Sequence, residues 1–395
     1  AEELGLTKHV LPIFPSDPAA KNRYLFVDGK LCALPTNAWS MFKKLPPFTK
    51  PLITSLWKEP FHRRSNEQDE SIYSFFADIA IDALCRGIFA GDCRKISVQA
   101  CFPPLYEMEK KYGSLIAGAV FGFKDPKVEA TGLVRRAIED KWASWSLSRG
   151  LQQLTDAMAA SIQNTKEGEI RLDTKVTSLK RNQNGKIIVS TPSDSIEASL
   201  VISAVYSKDL AAALPKSMTD LKEDLSALPS VNVVVGFGHL LPSFESGPIL
   251  GVVYDSCTYP EHNRKGCPES TRITVMLGGS WYDKLLSPDG TLPSGSDIVW
   301  MASQAAAQQL GIKSHPIRSH VTLQKECLPQ YKVGHVSWVE KVEQKIKESN
   351  LPLHLVGSSY RGPAITCTSS YILSARSEII NNWRKLKISN CRTLQ

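Results

Sequence analysis

Three glycine-bearing stretches are where this sequence could do chemistry. In Gly357-Ser358-Ser359-Tyr360-Arg361-Gly362 the glycines follow the apolar run Leu353–Val356 and precede a helical pattern. A strand, a glycine turn and a helix start offer backbone N–H groups to a phosphate or a cofactor dipole; a plain structural turn is the competing reading. Gly150 closes Trp142-Ala143-Ser144-Trp145-Ser146-Leu147-Ser148-Arg149-Gly150-Leu151 just before an amphipathic helix. It would let backbone approach a ligand closely, although packing alone also accounts for it. In Val235-Gly236-Phe237-Gly238-His239-Leu240-Leu241-Pro242 a strand turns glycine-rich, with Phe and Leu placed to grip a flat apolar ligand. Taken alone, His239 reads as a hydrogen-bonded structural residue and not as a base.

Other chemistries find no footing. G-x-x-x-x-G-K-[ST], H-E-x-x-H and G-x-S-x-G are absent, and the eight histidines do not cluster. No G-x-G-x-x-G opens a strand–turn–helix, so there is no complete dinucleotide fingerprint. The nine cysteines include no C-x-x-C. Cys85, Cys93 and Cys101 are evenly spaced but too far apart for a ligand pair, so no metal is expected. An odd count without a framework favours reduced thiols in an intracellular compartment.

Around these stretches the chain is ordinary in composition: 395 residues, 42% apolar and 22% charged. That suits two or three domains with a sizeable core. A net charge of +8 suits an anionic partner. Ala1-Glu2-Glu3-Leu4 carries no signal-peptide pattern and reads as the interior of something longer. No apolar run approaches the ~20 residues that span a bilayer. Between 40 and 64, Lys43, Lys44, Lys50, Lys58, Arg63 and Arg64 alternate with Phe42, Phe48, Leu56, Trp57 and Phe61. Basic residues beside aromatic ones suit acidic lipid headgroups, against a Pro-broken loop with solvated lysines; no nucleic-acid motif accompanies them.

The elements that must position the three stretches follow from periodicity. Asp28-Gly29 predicts a hairpin. Helical spacing covers 71–90, 104–121, 132–142, 151–163, 298–311, 339–348 and 369–387. Strands are predicted at 169–172, 186–191, 200–204, 232–236, 249–254, 272–277, 321–325 and 353–356, with a turn at 182–185. The fold class is α/β, mixed α+β, with a helical block between about 40 and 140.

Several ordered runs together resemble the oxygen-dependent protoporphyrinogen oxidase family, of mitochondrial animal type, within the flavin amine oxidase-like superfamily. They are Asp17-Pro18-Ala19-Ala20-Lys21-Asn22-Arg23-Tyr24-Leu25-Phe26-Val27, Leu84-Cys85-Arg86-Gly87-Ile88-Phe89-Ala90-Gly91-Asp92, Gly236–Pro242, Val252-Val253-Tyr254-Asp255-Ser256 and Val275-Met276-Leu277-Gly278-Gly279-Ser280-Trp281. Cys327-Leu328-Pro329-Gln330-Tyr331 and Leu355–Tyr360 continue the series. The resemblance covers about residues 1–362. It implies an FAD domain assembled from separated segments (1–17, 143–215 and 356–395), a mixed-sheet substrate domain (128–142 and 216–355) and a helical membrane-docking domain (18–127).

The resemblance also implies the chemistry. FAD oxidises protoporphyrinogen IX to protoporphyrin IX, with O2 as acceptor and peroxide as product, in the penultimate step of haem synthesis. The setting would be peripheral, on the mitochondrial inner membrane, and a homodimer is allowed. No catalytic side chain is required. Substrate contacts are expected at Arg23, which would pair a propionate, at Arg86 and Gly87, and at Phe237, Gly238, Leu240 and Met276. Cofactor contacts are expected at Val176, Ala204, Val336, Gly362, Pro363, Ala364 and Ile365.

The chain departs from the family pattern as well. The nucleotide-binding βαβ unit is not found before Ala1, and stretches are lacking between Ser74 and Phe76 and near Val235-Gly236. Arg149 stands where the family has a glycine, and Val336 where it often has Trp. After Gly362 the family's V-A-V-N-D-type run gives way to Pro363-Ala364-Ile365-Thr366-Cys367. These departures predict poor FAD binding. They keep two alternatives open: a non-catalytic homologue that binds porphyrin or membrane without turnover, and an amine-directed flavin oxidase, which the porphyrin-pocket match argues against.

Overall fold

The computed structural model describes residues 1–362 apart from 22, 36–39, 41, 49, 52–53, 55–68, 76–78, 116, 119–131, 166–167, 235–237, 246 and 264–269. In chain order the strands are β1 (Val10–Ile13), β2 (Tyr24–Val27), β3 (Lys30–Ala33), β4 (Ser144–Leu147), β5 (Ser178–Arg181), β6 (Ile187–Ser190), β7 (Ser195–Ala198), β8 (Val201–Ser203), β9 (Ser230–Val234), β10 (Gly238–Leu240), β11 (Ile249–Val253), β12 (Thr274–Gly278), β13 (Gln324–Pro329) and β14 (Leu353–Leu355). The longer helices are α1 (Ile79–Phe89), α2 (Pro103–Tyr112), α3 (Gly132–Glu139), α4 (Gln152–Gln163), α5 (Ser207–Ala213), α6 (Thr219–Ser226), α7 (Gly295–Leu310) and α8 (His335–Glu348).

The hairpin forms as its turn chemistry dictates. Asp28 and Gly29 both take positive φ, 50° and 73°, the pair of left-handed residues that a two-residue turn needs. They join β2 to β3 in antiparallel register. That hairpin then extends a seven-stranded sheet of order β13-β9-β12-β11-β10-β2-β3. The β10–β2 pair is parallel and the other pairs are antiparallel. The front of the expected helical segment 18–127 therefore belongs to the sheet of the 216–355 segment.

Helices cover both faces of this sheet. Alternation along β2 sends Leu25 and Val27 against Ala83 of α1, while Leu250 and Met276 meet Ala90 just past that helix. On the opposite face Leu277 packs on Ile298 and Met301 of α7. Each such fully buried aliphatic side chain contributes on the order of 1.5–3 kcal/mol. Helix α7 is held at both ends: Ser294 and Asp297 form a capping box, and Gly311 closes the last turn at φ 70°.

A second core forms around β14 and β8, paired in parallel, and the β5-β6-β7 meander. Leu179, Ile187, Leu210, Leu225 and Leu353 meet there with Val339, Val342 and Ile346 of α8, whose spacing is that of one helix face. Residues 335–355 thus pack with the 143–215 segment.

Several sequence expectations are corrected. Residues 169–172 are not a strand: Arg171 bridges Glu169 and Asp194 at 2.7 Å each, and Leu172 is 80% exposed. The 104–121 helix is interrupted after Tyr112, where Gly113 turns left-handed at φ 74°, and residues 115, 117 and 118 are helical again. Within the expected 71–90 helix, Ile72–Phe75 and α1 are helical, and 76–78 lie outside the described residues. Strand 321–325 is displaced to β13, and helix 339–348 begins earlier, at His335. Strands β1, β4, β5 and β7, four residues each, are not expected from the periodicity. Most of the basic–aromatic tract and the 369–387 helix lie outside the described residues. Among those described, no helix is long and apolar enough to cross a membrane.

Candidate functional site

Two of the three sequence stretches make separate places; the third, 142–151, carries β4 paired with β1, and a Cβ on Gly150 would meet nothing within 4 Å. The first place is the seam between α1 and the sheet. Glycines set its closeness. A Cβ on Gly87 would collide with the Leu240 side chain, and one on Gly279 would lie 2.5 Å from Ala90 O. A Cβ on Gly251 would stand 3.0 Å from Leu240 Cδ2 and 3.2 Å from Met276 Cε. Of the expected substrate residues, Gly87, Leu240 and Met276 therefore come together here. Gly238 pairs so tightly with β11 that a Cβ there would overlap Val252 O. Phe237 lies outside the described residues.

Arg86 is part of the seam but is fully buried. Nη1 donates to Pro242 O (2.5 Å) and Nη2 to Gly247 O (2.8 Å). The guanidinium lies 4.5 Å over the Trp281 ring centroid, a cation–π contact. Only Nε is left buried without a hydrogen-bond partner among the described residues. One helical turn away, Asp82 accepts from Cys93 Sγ (3.2 Å) and from Ser243 N–H (2.5 Å). Burial pulls the Arg86 pKa down to about 10, with Asp82 and Glu245 opposing; it stays charged at neutral pH. Burial, then the bond to Asp82, pushes the Cys93 thiol up to about 12, so it is no nucleophile. Arg86 thus anchors Pro242 and Gly247 onto α1.

Behind Gly238 and Leu240, His239 points to the other face. Its Nδ1 meets Tyr254 OH and its Nε2 meets Gln309 Oε1, both at 2.7 Å. An amide oxygen only accepts, so these partners assign the proton to Nε2. Burial is the main cause that lowers its pKa. It is a structural histidine, as the sequence suggested. Arg23 is exposed immediately before β2 and has no ion pair among the described residues; its neighbour Tyr24 lies across from His239 in the parallel β2–β10 pair.

The second place is a corner at the carboxyl ends of β8 and β14, the side of a parallel sheet where ligands bind. Val356 N–H donates to Ser203 O (2.9 Å). Gly357 follows at φ 97°, where a Cβ would stand 3.3 Å from Ala204 O. The start of α8, which includes Val336, adjoins through His335, whose Nε2 meets Tyr360 O; Gly362 follows two residues on. Val176 is 40% exposed ahead of β5, outside these contacts. Pro363, Ala364 and Ile365 lie outside the described residues. Ile202 and Val205 expose 52% and 49% of their surface. The N–H groups of Gly357, Ser358 and Ser359 donate to no described residue. An exposed apolar surface beside free backbone donors and a glycine-made close approach fits a flat cofactor with an oxygen-rich chain.

The family described as flavin containing amine oxidoreductase matches residues 9–322, and protoporphyrinogen oxidase of Homo sapiens is 38% identical over 384 residues, covering 92% of this chain and 80% of that one. This chain belongs to the flavin-containing amine oxidoreductases. It is an oxidoreductase whose family uses flavin. Protoporphyrinogen oxidase of Schizosaccharomyces pombe is 28% identical, and coproporphyrinogen III oxidase of Bacillus subtilis 24%, each over 92% of this chain and 79% of the relative. The fold agrees. A solved structure from Exiguobacterium sp. 255-15, assigned provisionally as a protoporphyrinogen oxidase, superposes with a TM-score of 0.69 at 18% identity, covering 95% of this chain and 84% of that one.

Sequence reasoning missed Asp82, Trp281, Tyr331 and His335. Trp281 and Tyr331 do close two of the family-like runs, which was the available signal. Asp82 and His335 acquire their partners only through tertiary contacts.

Proposed function

We propose that this oxidoreductase dehydrogenates a porphyrinogen, with protoporphyrinogen IX as the substrate, FAD as the cofactor and O2 as the final acceptor. The observation that carries this reading is the 38% identity, over 92% of this chain, to a relative named protoporphyrinogen oxidase, with a relative named coproporphyrinogen III oxidase at 24%. Bound flavin would supply the two-electron acceptor for the carbon bridges. The chain's own residues then have binding and exclusion to do. Leu240, half-buried against Gly87, is the apolar side chain suited to a pyrrole face, with Met276 buried behind it. Arg23, exposed and unpaired, is suited to a propionate. Arg86, fixed by two carbonyls and Trp281, keeps the 242–247 loop closed over the seam and water out. Ala204, Val336 and the amides of 357–359 would hold the cofactor.

A membrane surface, peripheral and mitochondrial, is the setting this reading takes from the animal relatives. The non-catalytic alternative draws on one observation: Gly87 and Leu240 leave no gap between α1 and the sheet. The two readings separate in one assay. Protoporphyrinogen is added aerobically to the chain supplied with FAD, and porphyrin fluorescence and peroxide are followed. The proposal expects both to rise together above the protein-free rate; porphyrin quenching without either product supports the non-catalytic alternative and overturns the proposal.

A further inference from the structure

Two side chains on the connection from β13 to α8 reach the 357–361 turn. Tyr331 OH donates to Ser358 O (2.5 Å), and His335 Nε2 donates to Tyr360 O (2.9 Å). Tyr331 and His335 expose only 3% and 6% of their surface. Their rings stack at 3.8 Å and 14°, so neither can turn without the other. Trp338 continues the stack, 5.3 Å from His335, and lies parallel to the Tyr360 ring at 6.2 Å. A carbonyl only accepts, so His335 carries its proton on Nε2. Burial, aided by Arg361 and opposed by the Tyr360 bond and Asp69, brings its pKa down to about 4, so the ring is neutral at physiological pH.

The peptide plane transmits this grip. In a trans peptide the C=O of one residue and the N–H of the next point in opposite directions. Fixing Ser358 O toward Tyr331 therefore turns Ser359 N–H to the other side of the turn. That N–H, like those of Gly357 and Ser358, donates to no described residue, although Ser359 is 4% exposed. A buried backbone donor without a partner is costly and calls for an acceptor.

We infer that Tyr331 and His335 are positioning residues for the cofactor: they clamp the carbonyls of Ser358 and Tyr360 so that the amides of 357–359 meet an oxygen acceptor of the flavin nucleotide. The inference rests on the flavin reading of that corner. It joins the substrate sheet, through β13, to the cofactor turn by side chains that touch no substrate.

The test titrates FAD into the full chain and into Tyr331→Phe, His335→Leu and His335→Gln, reading flavin fluorescence for Kd and urea midpoints for folding. Amide exchange of the 353–362 peptide is measured without flavin. Tyr331→Phe keeps the stacked ring and removes only the hydroxyl; Gln keeps a donor near the position of Nε2, and Leu does not. Kd is expected to rise about tenfold in Tyr331→Phe and His335→Leu, with faster exchange of the peptide, and His335→Gln is expected to stay within about threefold of the parent. Parent-like Kd and exchange in Tyr331→Phe and His335→Leu would overturn the clamp. So would a His335→Gln variant as impaired as His335→Leu, or losses of affinity that simply track the urea midpoints. A parent chain that takes up no FAD overturns the flavin reading and the cofactor role with it, while the exchange rates still show whether the turn is held.

Discussion

The α1 seam and the 357–362 corner are built on opposite plans. In the seam nearly every polar group is engaged inside the protein: both terminal nitrogens of Arg86, both oxygens of Asp82 and both ring nitrogens of His239. Glycines bring the layers so close that side chains fill the space. In the corner three successive amides donate to no described residue, and Ile202 and Val205 lie open. The seam thus holds its geometry without a ligand, whereas the corner is completed by something that brings acceptors and apolar surface. Buried polar groups must be satisfied by protein or by ligand, and the two places divide those options between them.

The contrast breaks most readily at Arg86. Replacing it with Met leaves Pro242 O and Gly247 O without donors and empties the space under Trp281, so about 3–5 kcal/mol of stability should go; urea unfolding at neutral pH measures it. A variant as stable as the parent would show that the seam does not depend on its cation.

Acid sharpens the contrast, because each place holds a buried neutral histidine. Folding lowers the His335 pKa from an ordinary 6.5 to about 4 and lowers that of His239 as well. Between those values the unfolded chain binds more protons than the folded one, so stability rises with pH there. The contribution is complete above about 6.5 and lost as pH falls toward 4, amounting to at most about 3 kcal/mol for His335. His335→Gln should flatten this acid arm; an unchanged pH dependence in that variant would remove His335 from the account.

The smallest stability effect is expected at Ile202. Ile202→Asp places a charge on exposed surface and should change stability by less than about 0.5 kcal/mol, yet it should weaken flavin binding about tenfold if the open face is where the cofactor lies. Equal flavin affinity in the variant would move the cofactor elsewhere.

Legibility in the sequence follows the same division. The β2–β3 hairpin was readable because Asp28-Gly29 is a local instruction, and the 357–362 turn because glycines mark strained backbone. The burial of Arg86 was not readable: the resemblance marked it as a substrate contact, and nothing local marks it as a core residue. Only the tertiary approach of the 242–247 loop supplies the carbonyls that make it a core residue. The clamp was equally hidden, since Tyr331 and His335 meet Ser358 and Tyr360 across more than twenty residues of chain. Residues 169–172 misled in the other direction, because apolar spacing was present without a partner strand among the described residues.

The most direct test of the central claim is an anaerobic single turnover. The chain loaded with FAD is mixed with protoporphyrinogen without oxygen, and oxidised-flavin absorbance is followed together with porphyrin fluorescence. The account predicts that the absorbance bleaches as the fluorescence rises, at one shared rate. Flavin that is bound and stays oxidised while porphyrin forms only at the protein-free rate would contradict it.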